Sequence, residues 1–426
     1  MKAYAALSNE ELITLKRKLE SDFTEFKNRK LTLDMSRGKP SSDQLDLSKG
    51  MLEILKSDDY ISANGTDCRN YGILDGIMEA KQMFSQMLNV STSEIIIGGN
   101  SSLNLMYDII AKAMIFGVAG SEKPWGRYDK IKFLCPSPGY DRHFAICEHF
   151  GIEMITIELN DDGPDMDKIE ELVSTDETIK GIWCVPKYSN PDGITYSDEV
   201  VKRFANLSTA ANDFRIFWDN AYCVHDLTDK PDKLLNLLDE CKKSGNDDMP
   251  LMFASTAKIS FAGSGIAVIA ASEDNINFIK KQMAIQTIGS DKINQLRHCR
   301  FFGDFNGILE HMKKHRDIIA PKFDVVIGML DNEIAPLGIA SYRKPNGGYF
   351  ISLNTMDGCA KRVASLCKEA GVILTPAGVT FPYSVDERDR NIRIAPTFPP
   401  VSELKVAMEL LCLCIKLASV EKLLEK

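Results

Sequence analysis

Five polar residues stand out by type and order. Asn190 lies in the turn Lys187-Tyr188-Ser189-Asn190-Pro191-Asp192-Gly193. Asp219 follows 29 residues later, Tyr222 three after that, Lys258 another 36 on, and Arg393 far downstream. Each alone has an ordinary use. Asn-Pro-Asp-Gly makes a turn, an aspartate after a strand caps a helix, and a lysine three residues after Ser255 is a surface charge. Tyr222 could pack in a core, and Arg393 could pair at a strand edge. Their types also allow chemistry. A lysine whose pKa is lowered by desolvation or a nearby cation is a neutral nucleophile, and a guanidinium fork suits a carboxylate. Gly99-Asn100-Ser101-Ser102 precedes a helical pattern, and the free N–H groups of a helix start bind anions. Order and context, rather than any single residue, make the case for a site.

The elements that must position these residues alternate along the chain. Residues 8–29 predict a helix, with Ser8 and Glu11 as a capping box and Ile13, Leu15, Leu19 and Phe23 on its apolar side. Arg37-Gly38-Lys39-Pro40 then breaks into a loop. Helical patterns at 76–89, 101–117, 141–150, 165–174 and 197–211 separate apolar, β-branched runs at 95–97, 131–135, 154–159, 181–185, 215–218, 252–254 and 266–271. Such runs predict strands buried on both faces of a mostly parallel sheet. Ligands of open α/β sheets bind beyond the carboxyl ends of the strands, where the polar residues collect. After 275 the pattern changes: helices are expected at 274–285 and 303–332, strands at 349–353, 371–375 and 391–395, and a closing helix at 402–425 capped by Ser402.

Composition excludes several classes. The 426 residues are 44% hydrophobic and 26% charged, with a net charge of −9, which is globular and argues against a nucleic-acid partner. Two or three domains fit the length. Eleven cysteines at irregular spacings, mostly in apolar runs and with no CxxC pair, fit reduced thiols in a cytoplasmic protein and no zinc site. No signal region and no apolar run of about 18 residues is present, so no membrane span is expected. Gly263-Ser264-Gly265 lacks the third glycine of a dinucleotide fingerprint. His311 and His315 lack a third metal ligand and read as solvated neighbours.

The ordered set resembles the class I aminotransferases of the pyridoxal-phosphate fold-type I superfamily, over about residues 35–400. The wording of Ser36-Arg37-Gly38-Lys39-Pro40, of Cys135-Pro136 through Phe144, and of Gly289 through His298 looks most like the MocR-type bacterial aspartate aminotransferases, here as a stand-alone enzyme. The resemblance implies an α/β fold with a mostly parallel seven-stranded sheet flanked by helices and a smaller α+β domain. It divides the chain into an N-terminal segment (1–50) packing with the small domain, a large cofactor-binding domain (51–305) and a small domain (306–426).

It further implies pyridoxal 5′-phosphate, with Lys258 bonding covalently to the cofactor aldehyde and later carrying a proton as general base and acid. Asp219 would keep the pyridine nitrogen protonated; such a pair at about 4 Å is worth on the order of 4 kcal/mol at an effective dielectric of 20. Tyr222 and Asn190 would hydrogen-bond the ring oxygen and Tyr140 would stack on the ring. Asn100, Ser101, Ser102 and Ser255 would hold the phosphate, with Tyr71 reaching the site of a neighbouring subunit in a homodimer with shared active sites. Arg393 would clamp the substrate α-carboxylate, and Gly38 and the 346–350 loop would line the mouth. The substrates implied are an amino acid, aspartate foremost, and a 2-oxo acid, 2-oxoglutarate foremost. The second carboxylate needs another cation: Arg297, then Arg37, lead a group that includes Lys39, Lys292 and Arg300. One position departs from the family pattern. Many members carry an arginine eight residues after the lysine, for the phosphate; this chain has Ile266 there. Either Ser260, Ser264 and backbone amides serve, or a cation arrives from elsewhere. A β-lyase, decarboxylase or racemase would share Lys258 and Asp219 and differ in product. A non-catalytic effector domain would bind the cofactor without turnover.

Overall fold

The computed structural model describes residues 3–425. In chain order the strands are β1 (Leu33–Asp34), β2 (Ile95–Ile97), β3 (Lys132–Ser137), β4 (Glu153–Glu158), β5 (Ile179–Cys184), β6 (Arg215–Asp219), β7 (Pro250–Ser255), β8 (Ala267–Ala270), β9 (Ala340–Tyr342), β10 (Ile351–Thr355), β11 (Val372–Ile373) and β12 (Asn391–Ile394). The helices are α1 (Asn9–Asn28), α2 (Ser42–Asp46), α3 (Met78–Leu88), α4 (Ser102–Phe116), α5 (Asp141–Phe150), α6 (Met166–Thr175), α7 (Asp198–Ala205), α8 (Leu237–Ser244), α9 (Glu273–Gln286), α10 (Lys292–Phe302), α11 (Phe305–Glu333), α12 (Ala360–Glu369) and α13 (Val401–Leu424).

The main sheet has seven strands in the order β2-β8-β7-β6-β5-β3-β4. β5 and β6 are buried along their whole length, as strands covered on both faces must be. β4, at the edge, is only partly buried. β8 alone runs against its neighbours β7 and β2. The cause is the connection: the segment 256–266 contains no crossover helix, so β7 returns beside itself as an antiparallel neighbour. Two apolar layers cover the sheet faces, one including Ile216 and Trp218, the other Trp183, Phe217 and Phe253. A third cluster joins α1, α11, α12 and α13 with the three-stranded sheet β12-β10-β9.

Several details differ from the sequence expectations. Ser8 and Glu11 form the capping box, but Leu12, not Ile13, faces the core, and Ile13 is exposed. α7 ends at Ala205 because the chain turns at Asn206. α13 begins one residue early, and Pro400 rather than Ser402 precedes it with no side-chain cap. The strand expected at 371–375 shrinks to β11, which pairs in parallel with β1 of the N-terminal segment and not with the small sheet. α2, α8, α10, α12, β1 and β9 were not expected. Among the described residues no helix is long and apolar enough to cross a membrane.

A buried ion pair ties β5 to the segment before β6. Lys180 Nζ lies 2.7 Å from Asp213 Oδ1, while Trp125 Nε1 and Ser121 Oγ each donate to Oδ2 at 2.9 Å. Removing one partner strands the other charge in the core. Asp213→Ala should therefore cost about 3–5 kcal/mol in urea unfolding; a loss below about 1 kcal/mol would show that Lys180 reaches solvent when its partner is gone.

Candidate active site

Lys258 sits on the return between β7 and β8. The amides of Ile259 and Ser260 both donate to the carbonyl of Thr256, at 2.9 and 2.8 Å, and make a tight turn. Two histidines brace this turn from beneath. His298, on α10, has Nδ1 2.8 Å from the carbonyl of Asn294, so Nδ1 carries the proton and Nε2 accepts from Ser260 Oγ at 2.8 Å and Thr256 Oγ1 at 3.1 Å. His311, on α11, places Nε2 3.0 Å from the carbonyl oxygen of Ile259. Tyr349 Oη donates to the carbonyl of Lys258 itself, at 3.5 Å. The Lys258 ammonium position is 5.0 Å from the centre of the Tyr222 ring. Burial lowers the pKa of Lys258, and the charge of Asp219 opposes that shift without cancelling it.

Asp219 closes β6 on the same face as Phe217. His143, on the first turn of α5, stacks on Trp183 with centroids 4.5 Å apart and sets Nε2 3.2 Å from Asp219 Oδ2. Asp219 Oδ1 is buried with no partner. Tyr140 meets the edge of His143 at 5.0 Å. Burial, then the charge of Asp219, pushes the Tyr140 phenol up to about 12. Tyr222 is raised well above its ordinary value, first by burial and then by Tyr140 and Asp219, so both phenols stay protonated near neutral pH. Reading the sequence missed His143. Its spacing three residues after Tyr140 was a usable signal, because i and i+3 share a helix face.

Arg393 lies on β12 opposite Ser352 of β10. Its Nη1 donates to Asp141 Oδ1 at 2.9 Å and to Asn190 Oδ1 at 3.3 Å, and its Nε is buried without a partner. The guanidinium lies 5.0 Å from the centre of Phe350. Phe350 in turn explains Gly38, where a Cβ would stand 2.4 Å from the ring. The loop that carries the exposed Arg37 can close on Phe350 only because Gly38 has no side chain. Contacts therefore link Asn190 to Arg393, Asp219 through His143 to Tyr140, and Tyr222 to Lys258.

The remaining candidates sit apart from this group or at its margin. Gly99, with φ +62°, and Asn100 lead into α4, where Ser101 makes no side-chain cap bond. Asn100 Nδ2 reaches the carbonyl of Gly263 at 3.5 Å. Ser102 opens α4, and Ser255 ends β7, its Oγ accepting from the amide of Ala257 at 3.4 Å. Tyr71 is 82% exposed. Arg297 faces Ser264, bonding its Oγ at 2.7 Å. Lys292 is spent on the carbonyl of Gly72, Arg300 on Asp59, and Lys39 lies over Phe398. His311 and His315 are not solvated: both are buried, 3.1 Å apart through their Nε2 atoms, in a layer with Gln44, which donates to Tyr349 Oη at 2.9 Å. Among the described residues no group of three or more side chains could hold a metal ion.

A family model described as aspartate amino-transferase matches residues 7–426. An aspartate aminotransferase of Corynebacterium glutamicum is 45% identical over 403 residues, covering 95% of this chain and 93% of that protein. The crystal structure of an aspartate transaminase from Corynebacterium glutamicum superposes with a TM-score of 0.96 at 44% identity, covering 98% of each chain. LysN, an α-aminoadipate aminotransferase from Thermus thermophilus solved with N-(5′-phosphopyridoxyl)-L-leucine, shares the fold with a TM-score of 0.73 at 17% identity, over 93% of this chain and 95% of that one.

Burial holds His298 and His315 down at about 4, whereas an unfolded histidine titrates near 6.5. Between about 6.5 and 4 the unfolded chain thus binds protons that the folded chain refuses. The contribution of these two histidines should be full above about 6.5, fall as pH drops through that window, and change no further below about 4. Melting temperatures from pH 7.5 to 4.5 check this, and His298→Gln should flatten the slope. A slope unchanged in that variant would remove His298 from the acid sensitivity.

Proposed function

The chain belongs to the aspartate aminotransferase family, and on that premise we propose that it moves the amino group of L-aspartate to 2-oxoglutarate with pyridoxal 5′-phosphate as cofactor. The observation that carries the reading is a couple that does not pair with itself: the half-buried Lys258 on the turn after β7 and the buried Asp219 at the end of β6. Lys258 has an amine of lowered pKa, and Asp219 keeps one oxygen on His143 and the other free. A protonated ring nitrogen fits that free oxygen, so the residues suit the cofactor.

When bound, the cofactor supplies an electron-accepting ring that stabilises negative charge on the substrate α-carbon. Asp219 holds the proton on the ring nitrogen, and His143 fixes the rotamer of Asp219. Tyr222, kept protonated by burial, and Asn190 would hydrogen-bond the ring oxygen, and Tyr140 would cover the ring. Lys258 would hold the cofactor and, because burial lowers its pKa and favours the neutral amine, would serve as general base and acid toward the substrate α-proton. Ser255, Asn100, Ser101 and Ser102 offer donors to the phosphate at the start of α4. Arg393 orients the substrate α-carboxylate through its free Nε and its fork, exchanging or sharing the place Asp141 holds. Arg37 adjoins this clamp through Gly38 and Phe350, which supports it as the cation for the second carboxylate.

The same proposal includes a homodimer. The exposure of Tyr71 supports its reaching the phosphate of a neighbouring subunit. Two apolar clusters lie mainly within 51–305 and the third joins residues of 1–50 with those of 306–426, which supports an N-terminal segment (1–50) packing with a small domain (306–426) that closes over substrate, beside a large domain (51–305). Every cysteine is free, which supports a reducing cytoplasm. The finer placement in the MocR-type subgroup rests on motif wording alone; neither the matched family model nor the relatives above are described by that name.

The absorbance of the cofactor-loaded protein tests the reading. L-aspartate should convert the lysine-linked band to that of the amine form, and 2-oxoglutarate should reverse it; a band that responds only to another amino acid would replace the substrate. Lys258→Ala should lose multiple-turnover transamination, and retained turnover would sink the assignment. Arg393→Gln should raise KM for both substrates about tenfold to a hundredfold, the worth of a charged hydrogen bond, and Arg393→Lys should not restore it because the fork is lost.

A further inference from the structure

The position eight residues beyond Lys258 cannot supply a cation: Ile266 is 2% exposed and packed in an apolar layer. The loop just before it is gripped from two sides. From α10, Asn294 Nδ2 donates to the carbonyls of Ser264 at 3.2 Å and Gly265 at 2.9 Å, and Arg297 Nη2 donates to Ser264 Oγ at 2.7 Å. From the α4 side, Asn100 Nδ2 reaches the carbonyl of Gly263, and the carbonyl of Gly99 accepts from the amide of Ala267 at 3.1 Å. The guanidinium of Arg297 and the uncapped start of α4 thus converge on one loop.

Arg297 is also short of an anion. Its two bonds go to neutral partners, Ser264 Oγ and Asn294 Oδ1, and its Nε is buried with nothing to donate to. Among the described residues no carboxylate lies within ion-pair distance of it, whereas Arg300, three residues on, is paired with Asp59. A half-buried cation without a counter-charge is costly unless an anion arrives. We propose that Arg297 is the phosphate-binding cation of the cofactor site, supplied from α10 in place of an arginine after the lysine, and so is not the cation for the substrate's second carboxylate. This inference rests on the cofactor reading above.

The test compares two ligands that differ only in the phosphate. The apoprotein is titrated with pyridoxal 5′-phosphate and with pyridoxal, following the visible band and the melting temperature. Arg297→Gln should weaken the phosphorylated ligand about tenfold to a hundredfold and change pyridoxal by less than about twofold; Arg297→Lys should recover part of the loss. An equal loss for both ligands, or none, overturns the assignment. So does an unchanged cofactor affinity with a raised KM for aspartate, which would return Arg297 to the substrate. If the wild-type chain binds neither ligand, the cofactor reading itself fails, and that outcome is distinct from the others.

Discussion

A desolvated amine and a buried carboxylate must lie within each other's field without pairing with each other. If Lys258 and Asp219 closed on one another, the amine would be held as ammonium and lost as a nucleophile, and the carboxylate would have no oxygen left for a ligand. The structure prevents this by giving each group other neighbours. His143 takes one oxygen of Asp219, and the ring of Tyr222 lies by the Lys258 amine. The result is a lysine with a lowered pKa despite the negative charge nearby. Desolvation outweighs attraction because the attraction acts at a distance while burial acts on the whole ammonium.

Holding the pair apart needs a rigid frame on both sides. Asp219 is rigid because it ends a strand in which every residue is buried. Lys258 has no such strand; it stands on a turn, and turns are mobile unless tied. Here the ties come from two helices that follow in sequence. His298 of α10 accepts from the Thr256 and Ser260 hydroxyls, and His311 of α11 meets the carbonyl of Ile259. The antiparallel return of β8 completes the frame by bringing 256 and 266 together. The one reversed strand of the sheet is thus the device that presents the lysine.

The parallel core was legible in the sequence because each of its strands is a short β-branched run, a signal that depends only on the strand itself. The order Asn190, Asp219, Tyr222, Lys258, Arg393 was legible for a related reason: the first four follow or end such a run, and Arg393 lies within one. What was not legible depends on partners distant in the chain. Nothing local marks His143 as the neighbour of Asp219, 76 residues on, or Asp141 as the ion pair of Arg393, 252 residues on. α10 was overlooked because its polar residues point inward, Asn294, Arg297 and His298 to the lysine turn and its loop and Gln295 to Ile77 and Ser290, so the apolar stripe that reveals a helix is interrupted. His311 and His315 looked solvated for the same reason: a buried polar layer reads as a surface in sequence.

The polar lining of α10 and the apolar character of Ile266 are two sides of one arrangement. β8 is buried at every residue, and Ile266 enters it from within the apolar layer that includes Val268 and Ala270. A guanidinium at 266 would have to leave that layer or be buried in it without a partner, which costs several kcal/mol. Moving the charge to α10 avoids the conflict, because that helix already sends Asn294 to the same loop. Helix α10 then serves both ends of one element: His298 fixes the turn that carries the amine, and Arg297 fixes the loop six residues beyond it. A shift of that helix would move both together, so the lysine turn and the loop are referred to one element.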